Sequence, residues 1–289
     1  MKISRLDLDG AGSPHALVTR ILQLAPGLMP PIPIEQLCAQ FDIQSIQEIH
    51  TDGFEAALVT DELKSAGAIL VAAGRDRRRR RFSIAHELGH FLIPAHRPEA
   101  GSALQCWTDH FRMFTADEQR RRSRIESEAN RFAALLLIPP PLLRAQLASI
   151  RRPAIGDIIR LSDHFEVSKD AMARAYADYT RAAVAFVVIS NGKVLRSYRK
   201  SGNFPFIAVS SGQPVPGDSL YHSVPKTPGV QSGEEECEPS CWLSERDDHH
   251  VEFLTEQVLI QREGFALLML QAELRDEDEM DDRGSRAGW

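Results

Sequence analysis

Arg81-Phe82-Ser83-Ile84-Ala85-His86-Glu87-Leu88-Gly89-His90-Phe91-Leu92-Ile93 is the stretch on which the reading of this chain turns. Its apolar spacing predicts a helix over Arg81 to Ile93, which Pro94 then stops because proline has no amide hydrogen and clashes with the preceding turn. Residues four apart on a helix lie on one face, so both imidazoles of His86 and His90 can reach a single metal ion. Glu87 lies one residue round the helix, where a base can take a proton from a water held at the metal's open side. Zinc is the known physical use of this spacing. The bland alternative is a pair of satisfied core histidines.

Two histidines are half of a catalytic zinc site, and a third protein ligand is required. A long helix predicted from about Asp117 to Ile138 offers Glu126 and Glu128. Helical spacing places Glu126 and Asn130 on one face and Glu128 on nearly the opposite one. Both carboxylates flank the apolar stripe Ala129, Phe132, Ala133 and Leu136, so amphipathicity alone does not choose. Asn130 favours Glu126, because a polar residue one turn on can orient a ligand histidine.

The segment Arg81 to His90, followed by Glu126-x-x-Ala129-Asn130-x-Phe132-Ala133-Ala134-x-Leu136-Leu137-x-Pro139, resembles the ImmA/IrrE family of bacterial and phage metallopeptidases over about residues 30–140. The resemblance implies a zincin-like metallopeptidase domain with zinc (Zn2+) on His86, His90 and Glu126, and Glu87 as general base. It implies a protein substrate, a helix-turn-helix transcriptional repressor, whose cleavage induces a stress, DNA-damage or mobile-element response. Ile138-Pro139 stands where Met-Pro is more usual, a minor chemical change.

Working outward, the sequence predicts an α+β protein. Helices are expected over His15 to Leu24 and Glu35 to Phe41, and short strands over Ile43 to Ile49, Phe54 to Thr60 and Ala66 to Ala72. A polar loop is expected over His96 to Arg112, and two helices within Ile155 to Tyr179 that meet near Val167-Ser168. Asn191-Gly192 between apolar runs signals a hairpin, because Asn-Gly suits a type I′ turn. Further strand-like runs are Phe206 to Val209, Val251 to Ile260 and Phe265 to Glu273. The expected organisation is a zincin-like metallopeptidase domain over 1–145, a helix-turn-helix-like helical segment over 146–181, a β-rich and GAF-like domain over 182–275, and an acidic disordered tail over 276–289. Leu161 to Ala171 carries the helix-turn-helix likeness but has no dense basic face for DNA binding. The GAF-like assignment rests on position and class.

Composition sets the outer bounds. The chain has 289 residues, 43% hydrophobic and 26% charged, which excludes wholesale disorder and a disulfide-stapled miniprotein. No apolar run nears the ~20 residues of a membrane span, and the start of the chain does not read as a signal peptide, so a cytoplasmic protein with no membrane partner is expected. The net charge of −6 hides a C-terminal stretch, residues 231–289, at −12. Cys38 reads as core, Cys106 as linker, and Cys237-x3-Cys241 as half a metal clip. Arg75 and Arg77 to Arg81, with Arg120, Arg121, Arg122 and Arg124, admit three readings: a solvated face, a nucleic-acid footprint, or a guide for an acidic substrate segment. His96, His110 and Tyr176 are the candidates for stabilising an oxyanion. The alternative to a peptidase is a DNA-binding or sensor-type transcriptional regulator, or a toxin–antitoxin component, with a non-catalytic zinc site.

Overall fold

The computed structural model describes residues 3–97, 104–107, 116–244, 246 and 248–275. The chain is α+β, with two sheets, and divides into two compact units. The first holds Met1–Leu142 with Asp163–Ser168, and the second holds Leu143–Ser162 with Lys169–Trp289.

In the first unit, helices α1 (Pro14–Leu24) and α2 (Ile34–Gln40) precede strands β1 (Ile43–Ile49), β2 (Phe54–Thr60) and β3 (Gly67–Ala72). Helix α3 (Arg77–Leu92), strand β4 (Leu104–Trp107) and helix α4 (Ala116–Leu137) follow. The sheet order is β1-β3-β2-β4, with β1 parallel to β3 and the other pairs antiparallel. Helix α3 packs on α4, on β2 and β3, and on α2. It is therefore enclosed on several sides, and Arg81 and every residue from Ser83 to Leu92 are buried. The core around it includes Leu17, Ile32, Leu58, Ile69, Leu88 and Phe132.

Helix α3 begins four residues before the expected Arg81. Asp76 caps it by accepting from the Arg78 amide, and that cap outweighs the run of like charges that follows. Each of those arginines has an acid to meet. Arg77 and Arg81 pair with Glu166, Arg78 with Asp163, Arg79 with Glu55, and Arg80 with both Glu35 and Glu48. The basic run is thus an ion-pair network of this unit, built with acids distant in sequence, in which Arg77 and Arg79 stay solvent-exposed and Arg81 is buried. The segment expected to be a polar loop contains β4, so Cys106 lies on a strand.

Helix α5 (Pro140–Leu147) starts inside the proline run that sequence reading took only as a stop; Pro140 occupies its first position, where no amide hydrogen is needed. Helix α6 (Ile155–Phe165) starts in the second unit, which also holds α7 (Lys169–Tyr179), β5 (Val184–Ser190), β6 (Lys193–Arg199), β7 (Glu235–Cys237), β8 (Val251–Ile260) and β9 (Phe265–Leu274). The antiparallel sheet runs β6-β5-β9-β8-β7. Asn191 and Gly192 both have positive φ, 49° and 75°, as the type I′ turn between β5 and β6 requires. β5 reads as an unbroken apolar run because both faces are covered. Tyr176 of α7 stacks edge-on to Phe186 on one face, while Phe204, Leu220, Tyr221 and Trp242 join Val187, Leu254 and Leu268 on the other. Phe206 to Val209, expected as a strand, makes only the isolated bridge Ile207–Leu243, because the segment serves as cover for the sheet. The acidic tail 276–289 lies outside the described residues.

Candidate metal centre

Helices α3 and α4 cross where Gly89 faces Phe132. A Cβ on Gly89 would lie 3.0 Å from Phe132 Cδ1, closer than packed side chains normally come. The absent side chain lets the two helix backbones approach, and that approach brings α4 carboxylates to the α3 histidines.

His86, His90 and Glu126 come together, with one ligand atom from each within 4.8 Å of the others. Nε2 of His86 lies 3.0 Å from Nε2 of His90, and the two rings meet edge to face. Glu126 turns Oε2 to His86 Nε2 at 3.2 Å and Oε1 to His90 Nε2 at 3.5 Å. Zinc bonds of ~2.0–2.1 Å at tetrahedral angles give a ligand–ligand edge of about 3.3 Å; the two Nε2 atoms lie near that separation, and each Glu126 oxygen lies at a similar distance from one of them. Two imidazole nitrogens and a carboxylate oxygen are also the donor chemistry of catalytic zinc. The residues fit that ion. Among the described residues this is the one group of three or more side chains placed to hold a metal, and no third ligand joins Cys237 and Cys241 in this way.

The electrostatics follow from burial and proximity. Burial disfavours a charged His86, but the hydrogen bond and charge of Glu126, together with the charge of Glu87, outweigh it and raise its pKa. Burial likewise disfavours a charged Glu126, yet its contacts with His86 and His90 hold its carboxyl well below the usual range. Glu87 is fully buried, beside His86 on α3.

Outside the cluster, His86 Nδ1 bonds to Asn130 Oδ1 at 3.0 Å, one turn along α4 from Glu126. Glu128 does not join the cluster. Its Oε2 meets His96 Nε2 at 2.9 Å, and its Oε1 accepts from Arg124 Nε at 2.8 Å. His96 is fully buried, and its Nδ1 lies 3.2 Å from Nδ1 of His90. Burial, foremost, pushes the His96 pKa down to about 4. His96 therefore stands behind a cluster histidine, which removes it as an oxyanion partner. Tyr176 packs in the core of the second unit, and His110 lies outside the described residues.

Lys64 is a contact that sequence reading missed. Its Nζ donates to the carbonyls of His90 at 2.6 Å and Ile93 at 2.9 Å, closing the end of α3. Burial, followed by the charges of Arg5 and Arg97, lowers its pKa to about 8. No spacing rule marks a lysine on a turn at φ 53° as a helix cap.

Residues 45–176 match the family Peptidase M78, described as the IrrE N-terminal-like domain, so the resemblance to the ImmA/IrrE family holds over that stretch. This supports a metallopeptidase-type hydrolase. No curated protein matches the sequence significantly. Among solved structures, a Mycobacterium tuberculosis transcriptional regulator has a similar fold, with a TM-score of 0.51 and 13% identity over 88% of this chain and 86% of that one. Among the described residues no helix is long and apolar enough to cross a membrane.

Proposed function

We propose that this protein is a zinc-dependent endopeptidase that cleaves a helix-turn-helix transcriptional repressor and so switches on a stress or mobile-element response. The observation that carries the reading is the convergence of the His86, His90 and Glu126 donor atoms, within 4.8 Å of one another, with the buried Glu87 on the same helix as the two histidines. His86, His90 and Glu126 would hold the ion. Zinc, when bound, supplies Lewis-acid activation of water and of the scissile carbonyl. Glu87 accepts the proton of the attacking water at its carboxylate and delivers it to the departing amine nitrogen. Asn130 holds His86 in the tautomer that turns Nε2 to the ion.

The helix-turn-helix-like segment and the GAF-like sensor role of the β-rich region belong to the same proposal. Helices α6 and α7, joined by a short turn with Glu166 at φ 51°, and the antiparallel five-stranded sheet support them. The test is Glu87→Gln, which keeps the shape of the side chain but cannot take a proton. Zinc content should stay at the wild-type level while cleavage of a helix-turn-helix repressor, sought first among the products of adjacent genes, is lost. Full cleavage by Glu87→Gln would sink the mechanism. Zinc binding without cleavage by the wild type would instead favour a regulator with a non-catalytic site.

A further inference from the structure

We propose that His96 and Glu128 form a positioning relay that locks His90 in the tautomer presenting Nε2 to the metal. The relay rests on the reading of His86, His90 and Glu126 as ligands. Its geometry is continuous. Arg124 Nε donates to Glu128 Oε1 at 2.8 Å, Glu128 Oε2 faces His96 Nε2 at 2.9 Å, and His96 Nδ1 faces His90 Nδ1 at 3.2 Å.

The direction of each hydrogen bond follows from the ligand reading. A histidine that gives Nε2 to a metal carries its proton on Nδ1, and His90 turns Nε2 to His86 and Glu126. His90 Nδ1 then donates to His96 Nδ1, which leaves His96 Nε2 to donate to Glu128 Oε2, while Glu128 Oε1 accepts from Arg124. Ligand histidines usually give their outer N–H to a carboxylate or a carbonyl. Here a second imidazole spans the gap between the histidine and the carboxylate.

The backbone prepares this. Pro94 ends α3, and the chain turns so that the His96 amide bonds to the Ile93 carbonyl at 3.1 Å, bringing the His96 ring back against His90. Lys64 holds the carbonyls of His90 and Ile93, which lead into that turn. The two carboxylates of α4 thus have different tasks. Glu126 would hold the ion directly, and Glu128 would act on it only through the rings of His96 and His90.

The experiment measures zinc affinity of the full chain by competition with a chromophoric chelator. Unfolding of the metal-free proteins serves as the fold control. His96→Ala should weaken zinc binding by about 10–100-fold, the usual cost of removing an outer partner of a ligand. Glu128→Ala should weaken it in the same direction. The double variant should bind no more weakly than His96→Ala, since both changes break one chain. His96→Gln should recover most of the affinity, because its amide oxygen can accept from His90 while its amide nitrogen donates to Glu128. Affinity within twofold of wild type in His96→Ala, or losses that multiply in the double variant, would overturn the relay. If His96→Ala does not fold, wild-type affinity in Glu128→Ala overturns it equally. These outcomes leave the metal site standing, whereas a wild-type chain that binds no zinc removes the site itself.

Discussion

Each unit sets a glutamate among polar partners, fully buried in one (Glu256) and 45% exposed on its side chain in the other (Glu126), and they treat it in opposite ways. In the second unit Glu256 on β8 is fully buried and surrounded by donors: Ser219 Oγ at 2.9 Å, the Leu220 amide at 2.7 Å and Trp242 Nε1. Its charge also stands near the Cys237 thiol, whose pKa is pushed up by burial and then by Glu256. That carboxylate is satisfied by the protein and ties a loop and a tryptophan to the sheet. In the first unit Glu126 meets the Nε2 atoms of two histidines whose outer nitrogens are engaged by Asn130 and His96. Three lone-pair donors turned to one point suit a cation; three N–H and O–H groups turned to one carboxylate need none. The difference in donor chemistry separates a candidate binding site from a structural polar cluster.

The largest expected effect tests the first half of this contrast. His90→Ala, or His86→Ala, should abolish stoichiometric zinc in elemental analysis, because two protein ligands hold zinc poorly. Zinc at about 100 times its dissociation constant should stabilise the wild type by about 2.7 kcal/mol, and these variants not at all. Next comes the second half. Glu256→Ala strands three buried donors, at ~1–3 kcal/mol each, and should cost at least about 3 kcal/mol in urea unfolding. Its zinc content should remain that of the wild type. Loss of zinc in Glu256→Ala would break the comparison, since the two clusters would then not be independent.

Much of the site was legible because helical spacing is rigid. His86 and His90 declare a shared face of α3, with Glu87 one residue round from it, and Asn130 marks the Glu126 face of α4. The place of Glu128 was not legible. It depends on His96, which reaches His90 only through a turn after Pro94 and across to another helix. Strands β1 to β3 and the Asn191-Gly192 hairpin were readable from local chemistry. β4 was not, because its short run Leu104 to Trp107 is defined by its partner β2 rather than by its own sequence. Gly89 lies between. The motif shows a missing side chain, and only the fold shows Phe132 pressed against it. Gly89→Ala should therefore destabilise despite the ~1 kcal/mol gain in helix propensity, with a net loss of up to about 2 kcal/mol as overpacking wins. Gly89→Val should lose more, and both should weaken zinc binding by forcing α4 away. A stabilised Gly89→Ala in thermal unfolding would mean that Phe132 yields.

The smallest effect concerns the arginines, where sequence and structure differ most. Arg79 is 62% exposed on its side chain and meets Glu55 at 2.9 Å. An ion pair that open gains little over water and is screened by salt, so Arg79→Ala should cost only about 0.2–1 kcal/mol. Arg81 begins from a different place. It is nearly buried, its guanidinium donates to the Ile32 carbonyl at 2.8 Å, and its partner Glu166 is shared with Arg77. Arg81→Ala should exceed Arg79→Ala because it leaves a buried carbonyl and a half-buried carboxylate with fewer donors. Urea unfolding of the two variants at low and at about 1 M salt decides the matter, since the Debye length falls to ~3 Å there. The Arg79 difference should fade in salt and the Arg81 difference should persist. Equal, salt-sensitive losses would make the run a surface charge patch after all, and would return it to the pool of features open to an acidic partner.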